Sequence, residues 1–156
     1  MATYNVTLGN SSTPESGDQN DDWIRFVCDS FTPEFLNNNE IENLQSHEMF
    51  EIKLGEMKFA VTLNNVIIRR VETSAVGSVA WNDFVKFVGA HAMSDGDDLY
   101  LHIQMPMDDV QDWVQFFDDE GDMQDYMKCR IKQFRFTIEA KKQYGKGQIK
   151  LEELWD

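Results

Sequence analysis

The sequence has little that would cross-link it, and little that would break it up. Its 156 residues include two cysteines, Cys28 and Cys129, and three prolines. Two thiols are too few for a disulfide scaffold, so the core has to hold the fold, and a reduced, intracellular setting is expected. No apolar run approaches the ~20 residues of a membrane span, so no membrane partner is expected. The first residues are polar, without a basic-then-apolar start, and predict no secretory signal. Asn5-Val6-Thr7 and Asn10-Ser11-Ser12 spell glycosylation acceptors, but without such a signal they read as chance matches. Positive charge is scarce as well: 14 Lys and Arg stand against 28 Asp and Glu, a net charge of −14. That sum is unfavourable for nucleic-acid binding, where neutralisation of phosphates by Lys and Arg dominates affinity.

Chemistry-bearing patterns are equally sparse. His47, His91 and His102 are far apart and have no Cys or carboxylate at ligand spacing, which argues against zinc. Asp118-Asp119-Glu120-Gly121-Asp122 has its glycine fourth instead of sixth, and Cys129 stands where a calcium loop needs Glu. No Ser-His-Asp order, phosphate loop or deaminase signature occurs. Carboxylate pairs are too common in so acidic a chain to mark a site. A non-enzymatic protein with no cofactor and no metal is expected.

Hydrophobic residues make up 42% of the chain and aromatics 12%, with eleven Phe and four Trp. That is enough for one domain and too short for two. Residues 1–21 are rich in turn formers and predict a disordered N-terminal arm. Residues 22–140 form the expected domain, with an acidic insertion at about 104–127, and 141–156 a C-terminal tail. Within the domain, Trp23 to Cys28 has the β-formers of a strand. Thr32 as cap and Pro33 at the first helical position predict a short helix over 33–38. Period-two runs at Glu48–Leu54 and Met57–Leu63, separated by Gly55-Glu56, predict a hairpin. Asn64-Asn65 reads as a turn, and Val66 to Val71 as the next strand. Apolar residues at 81, 84, 85 and 88 have helical spacing, with Gly89 as the stop. Leu99 to Ile103 and Ile131 to Ala140 read as strands, the latter with Phe134, Phe136 and Ile138 alternating.

In this order the features resemble the plant B3-type DNA-binding domain. The resemblance spans roughly residues 23–140. It is carried by Trp81-x-x-Phe84-Val85 followed, after a short gap, by Gly96-Asp97-x-Leu99. The hairpin, Phe31-Thr32-Pro33-Glu34-Phe35 and Phe134-Arg135-Phe136-Thr137-Ile138 support it. It implies an open seven-stranded β pseudobarrel with two short helices, a nuclear location and a role in transcription regulation. The core is then expected to include Phe35, Phe50, Ile52, Phe59, Val61, Trp81, Phe84, Val85, Leu99, Leu101, Phe136 and Ile138. The sequence departs from the family at the first DNA-contacting arm: Cys28-Asp29-Ser30-Phe31-Thr32 contains no base.

Two partner classes follow. The second arm of such a barrel would place Asn64, Asn65, Arg69 and Arg70 on double-stranded DNA, where Arg forks onto guanine and Asn onto adenine. The bland alternative is an Asn-Asn turn beside two solvated arginines. Alternatively, Val110, Trp113, Val114 and Phe117 fall at i, i+3, i+4 and i+7 among acids, as in an amphipathic helix that docks on a basic protein or a transcription partner. The same stripe would equally suit a helix packed on the barrel. Charge is segregated: residues 107–127 hold eight acids and no base, and residues 128–150 hold eight bases and Glu139. Adjacent blocks of opposite sign predict that the acidic stretch folds back on the basic strand and masks it.

Overall fold

The computed structural model describes residues 3–37, 57–69, 78–92, 98–105, 113–118 and 120–154. The described residues are mainly β, with one short α-helix among them. The strands are β1 (Tyr4–Gly9), β2 (Trp23–Cys28), β3 (Ser30–Asn37), β4 (Met57–Arg69), β5 (Leu99–Gln104), β6 (Phe116–Phe117), β7 (Met123–Gln124), β8 (Met127–Thr137) and β9 (Tyr144–Glu153). Seven of them form one antiparallel sheet in the order β2-β1-β5-β8-β9-β4-β3, and Val27 of β2 pairs with Ile67 of β4. That pairing curls the sheet back on itself, with β3 extending beyond β4.

Alternation explains what is inside. Val6 and Leu8 of β1, Ile24, Phe26 and Cys28 of β2, and Leu99, Leu101 and Ile103 of β5 are buried at every second position. Two bulges change this parity. In β4, Val61 and Leu63 point inward, Asn64 and Asn65 intervene, and Val66 and Ile68 continue the inner row. In β8 the register shifts between Ile131 and Gln133, after which Phe134 and Phe136 take the inner side. Each extra residue keeps the apolar row facing the core while increasing the local twist. β9 lies between the two bulged strands and supplies Ile149 and Leu151.

The helix α1 (Trp81–Phe87) closes one end of the barrel with Phe84 and Phe87 buried. Asp83 in its first turn and Lys86 in its last oppose the helix dipole. The rings of Trp81, Phe134 and Phe136 surround Phe84, with Phe134 at 5.2 Å and Phe136 at 5.5 Å edge-on. Gly89 does not end the helix; a π turn runs on through Val88–Ala92. Within the helix Val85 is 44% exposed, so it leaves the expected core, and Trp81 is only partly buried.

Four expectations are corrected. Tyr4–Gly9 is no arm but an interior strand, bonded to β2 on one side and β5 on the other. Residues 30–37 are a strand and not a helix: Pro33 sits opposite Val61, and the run Phe31, Phe35 and Leu36 pairs along β4. Asn64-Asn65 does not reverse the chain but forms the bulge of one thirteen-residue strand. The supposed tail contains β9, the central strand between β8 and β4. The first strand of the expected hairpin, with Phe50 and Ile52, lies outside the described residues, as does the Gly96-Asp97 turn. The side chain of Phe35 is likewise not described.

Candidate functional site

The outer surface of the sheet has two contrasting regions. Over β5, the outward His102 is fully buried. The segment after β1 covers it, with the Ser12 carbonyl accepting from its Nε2 at 3.0 Å. Trp113 and Tyr126 cover it from the other side, at ring distances of 5.9 and 6.3 Å. Over β9 nothing comparable lies among the described residues. Its outward positions Tyr144, Lys146, Gln148, Lys150 and Glu152 face out, and Tyr144, Lys146 and Gln148 are exposed.

Register places their neighbours. Arg130, Glu152 and Ala60 form one row; Gln133, Lys150, Thr62 and Thr32 the next; Arg135 and Gln148 a third, beside Asn64; Thr137, Lys146 and Ile67 the fourth. Among the described residues this face therefore presents Arg130, Lys132, Arg135, Lys146 and Lys150, together with amides and hydroxyls, against Glu34 and Glu152, with Glu139 at the Tyr144 end. Glu152 engages two of the cations, Lys132 at 3.3 Å and Arg130 at 3.7 Å. Arg135, Lys146 and Lys150 have no ion-pair partner among the described residues. A concavity of about 390 Å³ between Asn64, Asn65, Arg135, Thr137, Lys146 and Gln148 opens here. A second of about 190 Å³, lined by Thr137, Glu139, Lys142, Tyr144 and Lys146, continues it. The two share Thr137 and Lys146, so they form one trough along β8 and β9.

Glycines set its floor. A Cβ on Gly147 would run into the Arg135 carbonyl and the Phe136 ring, and one on Gly145 would lie 2.6 Å from Ile138. Asn65 adopts a left-handed φ of 52° on the trough rim, a conformation Asn tolerates better than most residues. Asn64 is not available for a base: its Nδ2 donates to Thr32 Oγ1 at 3.1 Å and Ser30 Oγ at 3.3 Å, and its Oδ1 accepts from Gln148 Nε2 at 3.1 Å. Arg69 points elsewhere too, its Nε donating to the Ser78 carbonyl. Arg70 lies outside the described residues. Of the four residues read as a DNA arm, the structure thus gathers Asn64 and Asn65 at the trough and gives Arg69 a structural contact.

The stripe in the acidic stretch is not helical where described. Trp113 bridges Gln104, Val114 is buried and donates its N–H to Ile103 O at 2.8 Å, and Phe116-Phe117 form β6. Phe116 and Phe117 pack on Phe59 at 5.7 and 4.6 Å. Three of the four proposed partner anchors are therefore engaged by the barrel, and Val110 lies outside the described residues. The β6–β7 hairpin turns on Asp118, whose Oδ1 accepts the N–H groups of Asp122 at 2.9 Å and Glu120 at 3.0 Å. Those donors, Asp122 first, hold its carboxyl below the usual carboxylate range. Among the described residues the basic strand's ion pairs are with other acids: Lys128 reaches Asp98 at 3.2 Å, Lys132 and Arg130 reach Glu152, and Lys142 reaches Glu139 at 3.2 Å. Of the acids expected to mask it, Asp108, Asp109, Asp112 and Asp119 lie outside the described residues.

Reactive groups do not converge elsewhere among the described residues. Burial, then Asp29, pushes the Cys28 thiol up to about 12, and burial followed by Glu153 raises Cys129 further. No group of three potential metal ligands forms among the described residues, nor is any described helix long and apolar enough to cross a membrane. Comparison with protein-family models, curated proteins and solved structures gives no match to this chain.

Proposed function

We propose that this chain is a non-catalytic nucleic-acid-binding module that takes its ligand on the outer face of β4, β9 and β8. The observation carrying this reading is that Arg135, Lys146 and Lys150 share one face of the sheet without an ion-pair partner among the described residues, in a protein of net charge −14. Uncompensated lysines and arginines gathered on one face attract phosphate, while the acidic remainder of the surface repels it and confines the ligand there. Asn65 and Gln148 add uncharged polar groups beside the cations. The B3-type resemblance supports the same ligand class, with DNA as the ligand and transcription regulation in a nucleus as the setting. The Asn64 contacts and the position of Arg69 favour the sheet face over the barrel's arms.

Anisotropy titration of a labelled oligonucleotide across a salt series tests this. Three phosphate contacts give a log–log slope of about −2 to −3. Reversing Arg135→Glu and Lys146→Glu together should abolish binding, while Lys86→Glu on α1 should leave it intact. Absence of binding to either single-stranded or duplex DNA at low salt would overturn the reading. A second reading, an acidic protein-interaction module, draws on the β6–β7 hairpin, where Asp122 and Met123 are exposed, Met123 to 63%. Binding of a basic protein that Met123→Ser abolishes would favour it.

A further inference from the structure

Resting on that reading, we infer that the ligand is single-stranded, with its backbone along β9 and a base stacked on Tyr144. Reading a duplex takes an element that projects into a groove, such as a helix or a two-stranded ribbon. The open face is instead a sheet surface whose described recognition groups are the side chains of the strands themselves. Its long axis is β9, where Lys146, Gln148 and Lys150 recur on one side at about 6.6 Å, twice the rise per residue. That repeat is commensurate with successive phosphates of an extended single strand. Arg135 stands directly across from Gln148 and widens the cationic track by one strand.

Tyr144 supplies what phosphate contacts alone do not explain. It begins β9 on the same face as Lys146, is 44% exposed, and forms a wall of the smaller concavity with Lys142, Lys146 and Thr137. Its inward neighbour Gly145 is buried and pairs with Ile68, so the backbone beneath the ring belongs to the sheet ladder. Other aromatic residues of this end, Trp81, Phe84, Phe134 and Phe136, pack on one another. An exposed aromatic ring flanked by lysines at the end of a cationic track is the arrangement that holds single strands, because a splayed base offers its face and the adjoining phosphate its charge. A base paired within a duplex keeps its face inside the stack and cannot use the ring.

The test compares a labelled 15-nucleotide oligothymidine with a duplex of the same length, using the whole chain. The wild type should prefer the single strand at equal salt, with a slope of about −0.7 per phosphate contact. Tyr144→Ala should weaken single-strand binding about 5- to 150-fold and leave duplex binding unchanged, and Tyr144→Phe should retain it. Tyr144→Leu, which keeps apolar bulk without a flat ring, should behave like the alanine variant. If it matches wild type, stacking is refuted. Equal or stronger duplex binding, lost on Arg135→Glu and Lys146→Glu but indifferent to Tyr144, overturns this inference and keeps the nucleic-acid reading. No binding of either oligonucleotide overturns both.

Discussion

One barrel carries two opposite outer surfaces. Over β5 the sheet is covered: His102 lies beneath Ser12, Trp113 and Tyr126, and its Nδ1 has no hydrogen-bond partner among the described residues. Over β9 no described segment covers the sheet, and its outward row is polar and cationic. Both sides share the same apolar interior, so the difference is not one of fold. It lies in where the loops run and where the charge is left unpaired. The covered side uses its loops for stability, whereas the open side keeps three cations without an ion-pair partner among the described residues.

The contrast can be broken in four ways, in descending size of effect. Replacing Phe84 by Ala removes a ring shared by both regions' core and should cost about 3–5 kcal/mol in denaturant unfolding. Gly147→Ala forces a methyl into the Arg135 carbonyl and the Phe136 ring beneath the open face. It should cost about 1–3 kcal/mol and weaken ligand binding with stability. Trp113→Ala uncovers His102 and should cost about 2 kcal/mol without altering ligand affinity. Val85→Ser, one residue from Phe84 but exposed, should stay within about 0.5 kcal/mol.

pH sharpens the same comparison. Burial lowers the His102 pKa below its ordinary value near 6.5, more than the Ser12 carbonyl and the Asp125 charge raise it. The unfolded chain therefore takes up the proton first. Stability from this residue is complete above about pH 6.5 and declines as the pH falls below it. Urea midpoints measured from pH 7.5 to 5 should drop, and the drop should be smaller in His102→Gln. An unchanged pH profile in that variant would place the acid sensitivity elsewhere.

Much of the fold was legible where a single period ran unbroken. Trp23–Cys28, Leu99–Ile103, Phe134–Phe136 and the helix at Trp81 follow from alternation or helical spacing alone. Bulges and context hid the rest. Asn64-Asn65 looks like a turn because the parity of apolar residues changes there, and a bulge changes parity without reversing the chain. Thr32-Pro33 looks like a helix start, yet Pro is tolerated on a strand at the sheet margin. β1 was missed because its short alternation of Tyr4, Val6 and Leu8 is followed by a run of turn formers, and β9 because it is rich in Lys and Gly: its outer face is polar, and its inner face lies too close to the preceding strand for side chains at 145 and 147. The candidate site was half visible. The basic block 128–150 was plain in the charge count, but only strand register could show that Arg135, Lys146 and Lys150 share a face with Tyr144, and that Asn64 is already engaged.

The most direct measurement of that difference is lysine footprinting by amine acylation and mass spectrometry, with and without saturating oligothymidine. Lys146 and Lys150 should be protected by the ligand, Lys142 partly so, whereas Lys86, with a side chain 72% exposed on α1, should label equally in both conditions. Protection of Lys86 with continued labelling of Lys146 and Lys150 would contradict the assignment of function to the open face.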